Sequence, residues 1–293
     1  MKTKRIMVVA LVFVMVSVAM KLKAAPSLPS TLPDSLWLVG GEATVRVDEV
    51  TYDWYNKVDG YTSQSFWGDS VQTGTDSALD PRGTGQEVLQ FSSDTNDEMV
   101  LGLTGATNLQ NIWDSGATVM IALHATGTSG AQRLFDTTNK GSSGWEIYYE
   151  PASGTLGFSQ RFSDSSATWA KTVFPSGEAH VITITYDNGS TANTPSFYLD
   201  GELLTDLTQY GSNTGTRQAD NTNNMFIGAR GYSADSEHFV GSIGEIMIYN
   251  SVVSDATRQA AENYLINTWI IPEPSTVLLF GLPLVGLLLR RRR

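Results

Sequence analysis

The sequence predicts an all-β domain of two packed antiparallel sheets, closed by one C-terminal helix and flanked by two membrane-directed ends. Three observations predict it. Between Pro33 and Asn250, short runs rich in β-branched and aromatic residues alternate with clusters of Gly, Asn, Asp and Ser, without a helical stripe. After Ser254, apolar residues recur at three- and four-residue steps. Both ends carry a short apolar run beside basic residues.

At the N-terminus, Lys2, Lys4 and Arg5 form a basic n-region and Ile6 to Val16 an apolar h-region of signal-peptide length. Residues 1–25 are therefore expected to be a signal peptide, cleaved after Ala19 or Ala25, with an uncleaved anchor as the alternative. The folded domain is expected over 34–270. Its strands are expected at Ser35–Val39, Val45–Tyr55, Glu87–Phe91, Met99–Leu103, Ala117–Ala125, Arg133–Asp136 and Gly144–Glu150. The series continues with Thr155–Phe162, Thr168–Phe174, His180–Tyr186, Ser196–Leu199, Glu202–Leu204, Met225–Ala229 and Gly241–Tyr249. Asp200-Gly201 is a type I′ hairpin turn by composition. Ser254 is placed to cap the helix and Asp255 to complement its dipole. Ala260, Ala261, Tyr264, Leu265 and Trp269 give that helix one apolar face for docking.

Composition limits the chemistry. The 293-residue chain has no cysteine, which excludes disulfides, thiol nucleophiles and thiolate metal sites. Its formal charge is −11, but five of its 19 basic residues lie in the leader and four in the tail. Only Glu273 of the 30 acidic residues lies outside the domain, so residues 26–271 carry a net −19. Such a surface repels nucleic acid and anionic headgroups and suits neutral glycans or calcium.

The C-terminal 22 residues read as a separate module. Pro272-Glu273-Pro274 cannot continue a helix or strand, because each proline fixes φ and lacks an N–H. The apolar segment 277–289 would extend only about 20 Å as a helix, whereas a relaxed span needs roughly 20 residues. Arg290, Arg291, Arg292 and Arg293 form a stop expected to stay on the cytoplasmic side. The pattern over 272–293 resembles the PEP-CTERM sorting signal of Gram-negative bacteria. That resemblance implies transient inner-membrane insertion, cleavage near the Pro-Glu-Pro bracket by an exosortase-type enzyme, and delivery to the outer envelope surface or extracellular matrix. A permanent anchor is the alternative.

The domain carries its own resemblance. Gln132-Arg133-Leu134-Phe135-Asp136, Gly144-Trp145-Glu146-Ile147-Tyr148-Tyr149 and His180 to Asp187 come first, then Phe197-Tyr198-Leu199-Asp200-Gly201. Phe239 to Asn250 follows, with the helix behind it. In that order these segments resemble LamG-like domains of the concanavalin A-like jelly roll. The resemblance implies glycan or protein binding, sometimes with calcium, and fixes no ligand.

Candidate sites follow from residue chemistry. Glu146 and Glu150 share a strand face with Tyr148 between them. Jelly-roll glycosidases of the laminarinase type carry an aspartate in that middle place, and four residues of strand separate carboxylates by about 13 Å. A glycosidase pair needs between about 5 and 9.5 Å, so the expected reading is a solvated face with a tyrosine platform, and binding rather than catalysis. Asp94, Asn96, Asp97 and Glu98 gather oxygen ligands for calcium in one loop; the composition equally suits a polar turn. Asp220 to Asn224 is a weaker loop of that kind. Trp67, Trp113, Trp169 and Tyr232 lie close to polar loops and are the candidate sugar platforms. His124, His180 and His238 are not expected to cluster. The expected function is an exported binding module for extracellular polysaccharide or another surface ligand. The alternatives are a purely structural matrix or biofilm component and, less favoured, a glycoside hydrolase.

Overall fold

The computed structural model describes residues 28–29, 31, 33, 36–40, 43–45, 52–55, 62–63, 71–92, 99–101, 113, 116–138, 143–187, 189–190, 192–218, 225–230 and 237–270. Two antiparallel sheets form the sandwich. The first has eight strands, ordered Glu202–Leu204, Ser196–Leu199, Ala179–Tyr186, Ala117–Ala125, Gly241–Tyr249, Glu87–Phe91 and Gln72–Thr75; Leu36–Val39 also pairs with Gly241–Tyr249. The second has seven, ordered Thr208–Gly211, Ser166–Thr172, Thr155–Arg161, Trp145–Glu150, Gln132–Asp136, Met225–Ile227 and Met99–Leu101. A small third sheet joins Ala43–Val45, Tyr52–Tyr55 and Thr62–Ser63.

Alternation along each strand builds the core. Val119, Ile121 and Leu123 point inward from one sheet, and Trp145, Ile147 and Tyr149 from the other, into a cluster with Trp113, Phe158, Trp169 and Tyr186. Trp113 meets Trp145 edge-on with centroids 5.5 Å apart, an arrangement that matches the ring quadrupoles. Burial lifts the phenol pKa of Tyr186 to about 12, with Asp187 adding to it.

The strands depart from expectation at four places. The single Val45–Tyr55 run is two strands, Ala43–Val45 and Tyr52–Tyr55. Thr62–Ser63, Gln72–Thr75 and Thr208–Gly211 carry too little apolar character to stand out from loops. The Asp200-Gly201 turn forms as read, with φ of 49° and 87°.

The helix spans Asp255–Leu265 with Ser254 as N-cap, and continues as one π-helical turn, Ile266–Ile270. Its buried face is rotated from the expected stripe. Arg258 and Glu262 are buried with Ala261 and Leu265, while Ala260 and Tyr264 are only half-buried. The reason is electrostatic. Arg258 bonds Glu262 at 2.5 Å and lies 3.8 Å above the Tyr198 ring, so its charge enters the interface already paired.

A bulge locks this helix down. The strand Gly241–Tyr249 shifts register between Ile243 and Glu245, making Gly244 the extra residue. Without it Glu245 would face the inter-sheet core with Ile243. Instead its fully buried carboxylate accepts the indole N–H of Trp37 at 2.6 Å and of Trp269 at 2.8 Å. Trp269 lies directly over Gly244, where a Cβ would come within 2.6 Å of the ring. Among the described residues no helix is long and apolar enough to cross a membrane.

Candidate functional site

The two outer faces of the sandwich differ. Helix residues Ala261, Leu265 and Trp269 cover the first sheet by packing on Trp37, Met120, Ala122, Val181 and Met247. Among the described residues, no helix packs on the outer face of the second sheet. Register places two rows across that face. One runs Glu146, Ser159, Thr168, Tyr210, and the other Arg133, Tyr148, Gly157, Ala170, Thr208.

Each member has a physical role. The Tyr148 ring crosses directly over Gly157, where a Cβ would fall 2.1 Å from the ring carbon Cζ. Only glycine leaves room for the ring to lie down on the sheet. The Arg133 guanidinium sits 5.2 Å from the Tyr148 centroid and bonds Glu146 Oε2 through Nε at 2.9 Å. Its Nη2 lies 2.6 Å from Glu237 Oε2, and Glu237 is also paired with Arg230. Burial, then the carboxylates of Glu150 and Glu146, push the Tyr148 phenol up to about 12. It therefore stays a neutral hydroxyl that both donates and accepts. Ser159 Oγ and Thr168 Oγ1 are 2.8 Å apart in the floor between the rings. Tyr210 stands 60% exposed at the sheet edge. Three strand spacings and one two-residue step put the two tyrosine Cα atoms about 16 Å apart.

The two carboxylates weighed above as a catalytic pair, Glu146 and Glu150, do share this face. Trp145–Glu150 pairs in unbroken register with its neighbour Thr155–Arg161. The irregularity against Gln132–Asp136 skips Leu134 of that other strand, so nothing shortens the separation of about 13 Å. The Glu146 carboxylate is moreover committed to Arg133. Among the described residues, the Glu150 carboxylate takes a long contact from Ser153 Oγ, at 3.4 Å.

Two candidate platforms are corrected. Trp113 and Trp169 are core residues, 0% and 1% exposed, because each falls on the inward side and packs against Phe158. Trp67, Tyr232, the Asp94–Glu98 calcium loop with Asn96 and Asp97, the Asp220–Asn224 loop and the sorting residues from Pro272 to Arg293 lie outside the described residues. Among the described residues no group of three His, Asp or Glu is arranged to hold a metal ion. Tyr210 was missed because its strand was missed. The alternation of Thr208 and Tyr210 before Gly211 was the available signal.

The histidines stay apart. His124 and His180 lie on paired strands but on opposite faces, since Ala179 opposes His124 and Leu123 opposes His180. His180 Nδ1 is 2.7 Å from Asp200 Oδ2; burial lowers its pKa, but Asp200 and Glu178 outweigh burial and raise it. His124 Nδ1 is 2.8 Å from Asp76 Oδ2, and Asp76 also accepts from Ser242. The same three residue types serve hydrolytic triads, but there histidine stands between serine and aspartate. Here the aspartate stands in the middle, so the hydroxyl has no base.

This pair gives a pH signature. Burial pushes the Asp76 carboxyl up, but bonds from His124, Ser242 and the Ala78 N–H hold it at about 2. The bond to Asp76 raises His124 against the effect of burial. A depressed carboxyl stabilises above its unfolded value of 3.8 and loses that contribution as pH falls toward 2. A raised histidine contributes fully below 6.5 and loses it as pH rises through its folded pKa. Asp76→Asn should therefore cost most near pH 5, about 2 kcal/mol, and less at pH 3 and pH 9. Thermal melts at those three values check it; an equal loss at all three would assign the pair no linkage.

Comparison with known proteins agrees with this architecture. Residues 103–257, more than half of the chain, match the laminin G-type family described as the concanavalin A-like lectin/glucanases superfamily, and the chain belongs to it. No curated protein matches the chain. Among solved structures, the CBM40 of the Ruminococcus gnavus IT-sialidase bound to alpha2,3 sialyllactose is 18% identical, over 60% of this chain and 96% of its own, with a TM-score of 0.45. The NanB sialidase from Streptococcus pneumoniae (K499G mutant) is 16% identical over 59% of this chain and 27% of its own, with a TM-score of 0.42. HCR/D-Sa-GBL1/C is 15% identical over 80% of this chain and 52% of its own, with a TM-score of 0.50. At such identity the likeness is one of fold.

Proposed function

We propose that this protein is an exported glycan-binding domain that takes extracellular polysaccharide on the open face of its second sheet. The observation that carries the proposal is the pairing of Tyr148, laid flat over Gly157, with exposed Tyr210 across a floor of serine and threonine hydroxyls. Pyranose rings offer an apolar face to an aromatic plane and hydroxyls to the groups beside it. Glu146 is tied to Arg133 and stands about 13 Å from Glu150, so the face binds without cleaving. The leader exports the chain, and the 272–293 module hands it to an exosortase-type enzyme for release at the outer envelope surface or into the matrix.

Affinity electrophoresis of the full-length chain in mild detergent tests the binding, through gels cast with a β-glucan, a xylan or an alginate. At least one polysaccharide should retard the parent without release of reducing sugar. Tyr148→Ala and Tyr210→Ala should each weaken retention about 5- to 30-fold, the loss of 1–2 kcal/mol that removal of a contact aromatic costs. Unretarded parent protein in every gel would favour the structural matrix role instead.

A further inference from the structure

The second sheet ends on one side at the strand Thr208–Gly211, whose four residues are all exposed. We infer that this edge is where two copies of the chain pair, antiparallel about a two-fold axis at Tyr210, joining their second sheets into one.

The edge is held in place from within. Leu207 packs against the core, and Gln209 Oε1 accepts the Trp169 indole N–H at 3.2 Å. Gly211 lies so close to Ser166 that a Cβ would fall 2.1 Å from its carbonyl oxygen. Pairing with the neighbouring strand runs unbroken from Ala167 opposite Gly211 to Ala170 opposite Thr208. Exposed edges normally carry a lysine, a proline or a bulge that keeps other strands away. This one carries none of them.

The ladder also decides which backbone groups face outward. The Ser212 N–H donates to the Ser166 carbonyl at 3.1 Å. Hydrogen-bonded pairs alternate along an antiparallel ladder, so Thr208 and Tyr210 turn their N–H and C=O groups toward Ala170 and Thr168. Those of Gln209 and Gly211 turn the other way, and among the described residues nothing meets them. A second copy run antiparallel, with Tyr210 opposite Tyr210, supplies what they lack. Gln209 of each chain then exchanges both bonds with Gly211 of the other. One strand serves as its own complement, which is the condition for an isologous two-fold contact. The two tyrosines become a non-hydrogen-bonded pair, the closer kind, on the outer face.

Charge selects the occupant. Residues 26–271 carry a net −19, yet no charged residue occurs from Leu207 to Thr216. Two such domains repel across most of their surfaces and meet here without opposing carboxylates. A cationic partner would be drawn to the carboxylates elsewhere and would gain nothing from an uncharged strand. Contacts burying less than about 1,000 Å² are transient, and a ladder of four residues is of that kind. The pair therefore forms at high local density and dissolves on dilution. It sets two Tyr148–Tyr210 rows on one surface, but does not rest on what that surface binds.

The chain has no cysteine, so a single introduced thiol reports the register. Tyr210→Cys puts two Cα atoms about 4.5 Å apart across the axis, inside the disulfide range of about 4.4–6.8 Å. Thr208→Cys lies on the same face of the same strand, yet there the two Cα atoms stand about 14 Å apart. Each full-length variant, in mild detergent with micelles in excess, is oxidised without polysaccharide. Cross-linked dimer should form about tenfold faster from Tyr210→Cys than from Thr208→Cys. Adding Gln209→Pro, which removes an outward N–H, should slow the faster reaction about fivefold. Should that double variant not fold, sedimentation velocity replaces it: the parent should dimerise with rising concentration and Tyr210→Lys should not. Equal cross-linking of the two cysteine variants would mean random collision and overturn the inference. So would a concentration dependence that Tyr210→Lys leaves unchanged, since the contact would then lie elsewhere. Gel retention needs polysaccharide and cross-linking does not, so either reading can fail alone.

Discussion

Trp269→Ala is expected to lower the melting temperature of the protein by about 10–20 °C. Truncating a fully buried tryptophan costs about 3–5 kcal/mol through lost burial and the cavity left behind. Here it also removes the donor 2.8 Å from the Glu245 carboxylate, which is 0% exposed, and an unmet buried acceptor costs about 1–3 kcal/mol more. In a domain of this size each kcal/mol moves the midpoint by roughly 2–4 °C. Trp269→Phe keeps a six-membered ring but loses the pyrrole part with its donor, so it should recover a part of the loss and no more. A double-mutant cycle with Glu245→Gln should then show coupling of about 1 kcal/mol or more between the two positions. A melting temperature within about 3 °C of the parent for Trp269→Ala would mean that the π-helical turn is not what pins the helix to the sheet. Differential scanning calorimetry of the full-length chain decides between them.

That clamp also shows what the sequence makes legible and what it hides. Ser254, Asp255 and the Asp200-Gly201 turn act through neighbours in the chain, so their roles could be read directly, as could the long strands Ala117–Ala125 and Gly241–Tyr249. Trp269 could be read as a docking residue by its spacing. Its partner could not, because Glu245 reaches it only through a one-residue bulge at Gly244. A bulge reverses the face assignment of everything next to it, and no periodicity rule anticipates that reversal. Arg258 and Glu262 stand outside the apolar stripe that spacing shows, yet both are buried: their i,i+4 pairing is visible in spacing, but the Tyr198 ring beneath Arg258 belongs to another element and leaves no such sign. At the sheet face, Glu146, Tyr148 and Glu150 were correctly assigned to one side by alternation. Tyr210 joins them only through strand order, which brings residues 62 positions apart in sequence onto the same patch. Trp113 and Trp169 misled because polar neighbours in sequence say little about which way a ring points once the strands pair.

Replacing Pro272, Glu273 and Pro274 together by alanine is expected to trap a full-length, membrane-bound form in a host that carries the sorting enzyme. The tail has 13 residues between Val277 and Leu289 before Arg290, an apolar length of about 20 Å as a helix. Were that segment to span a hydrocarbon core of about 30 Å, it would have to thin the bilayer or draw in flanking residues. The inserted state suits a temporary stop better than a lasting anchor. In the proposed topology four arginines would hold the end inside while a domain of net charge −19 stands outside, and the bracket between them would meet the membrane surface. Two prolines disfavour helix and strand alike, which suits a sequence that the proposed enzyme grips as an extended peptide. Alanine at the three positions removes that constraint and lets the C-terminal helix run on toward the membrane. Mass spectrometry of the parent should find a mature chain that lacks Arg293 and is recovered from the outer envelope or medium. In the triple variant the chain should end at Arg293 and sediment with the inner membrane. A parent chain still ending at Arg293 in that host would make the tail a permanent anchor and remove the exosortase-type partner from the proposal.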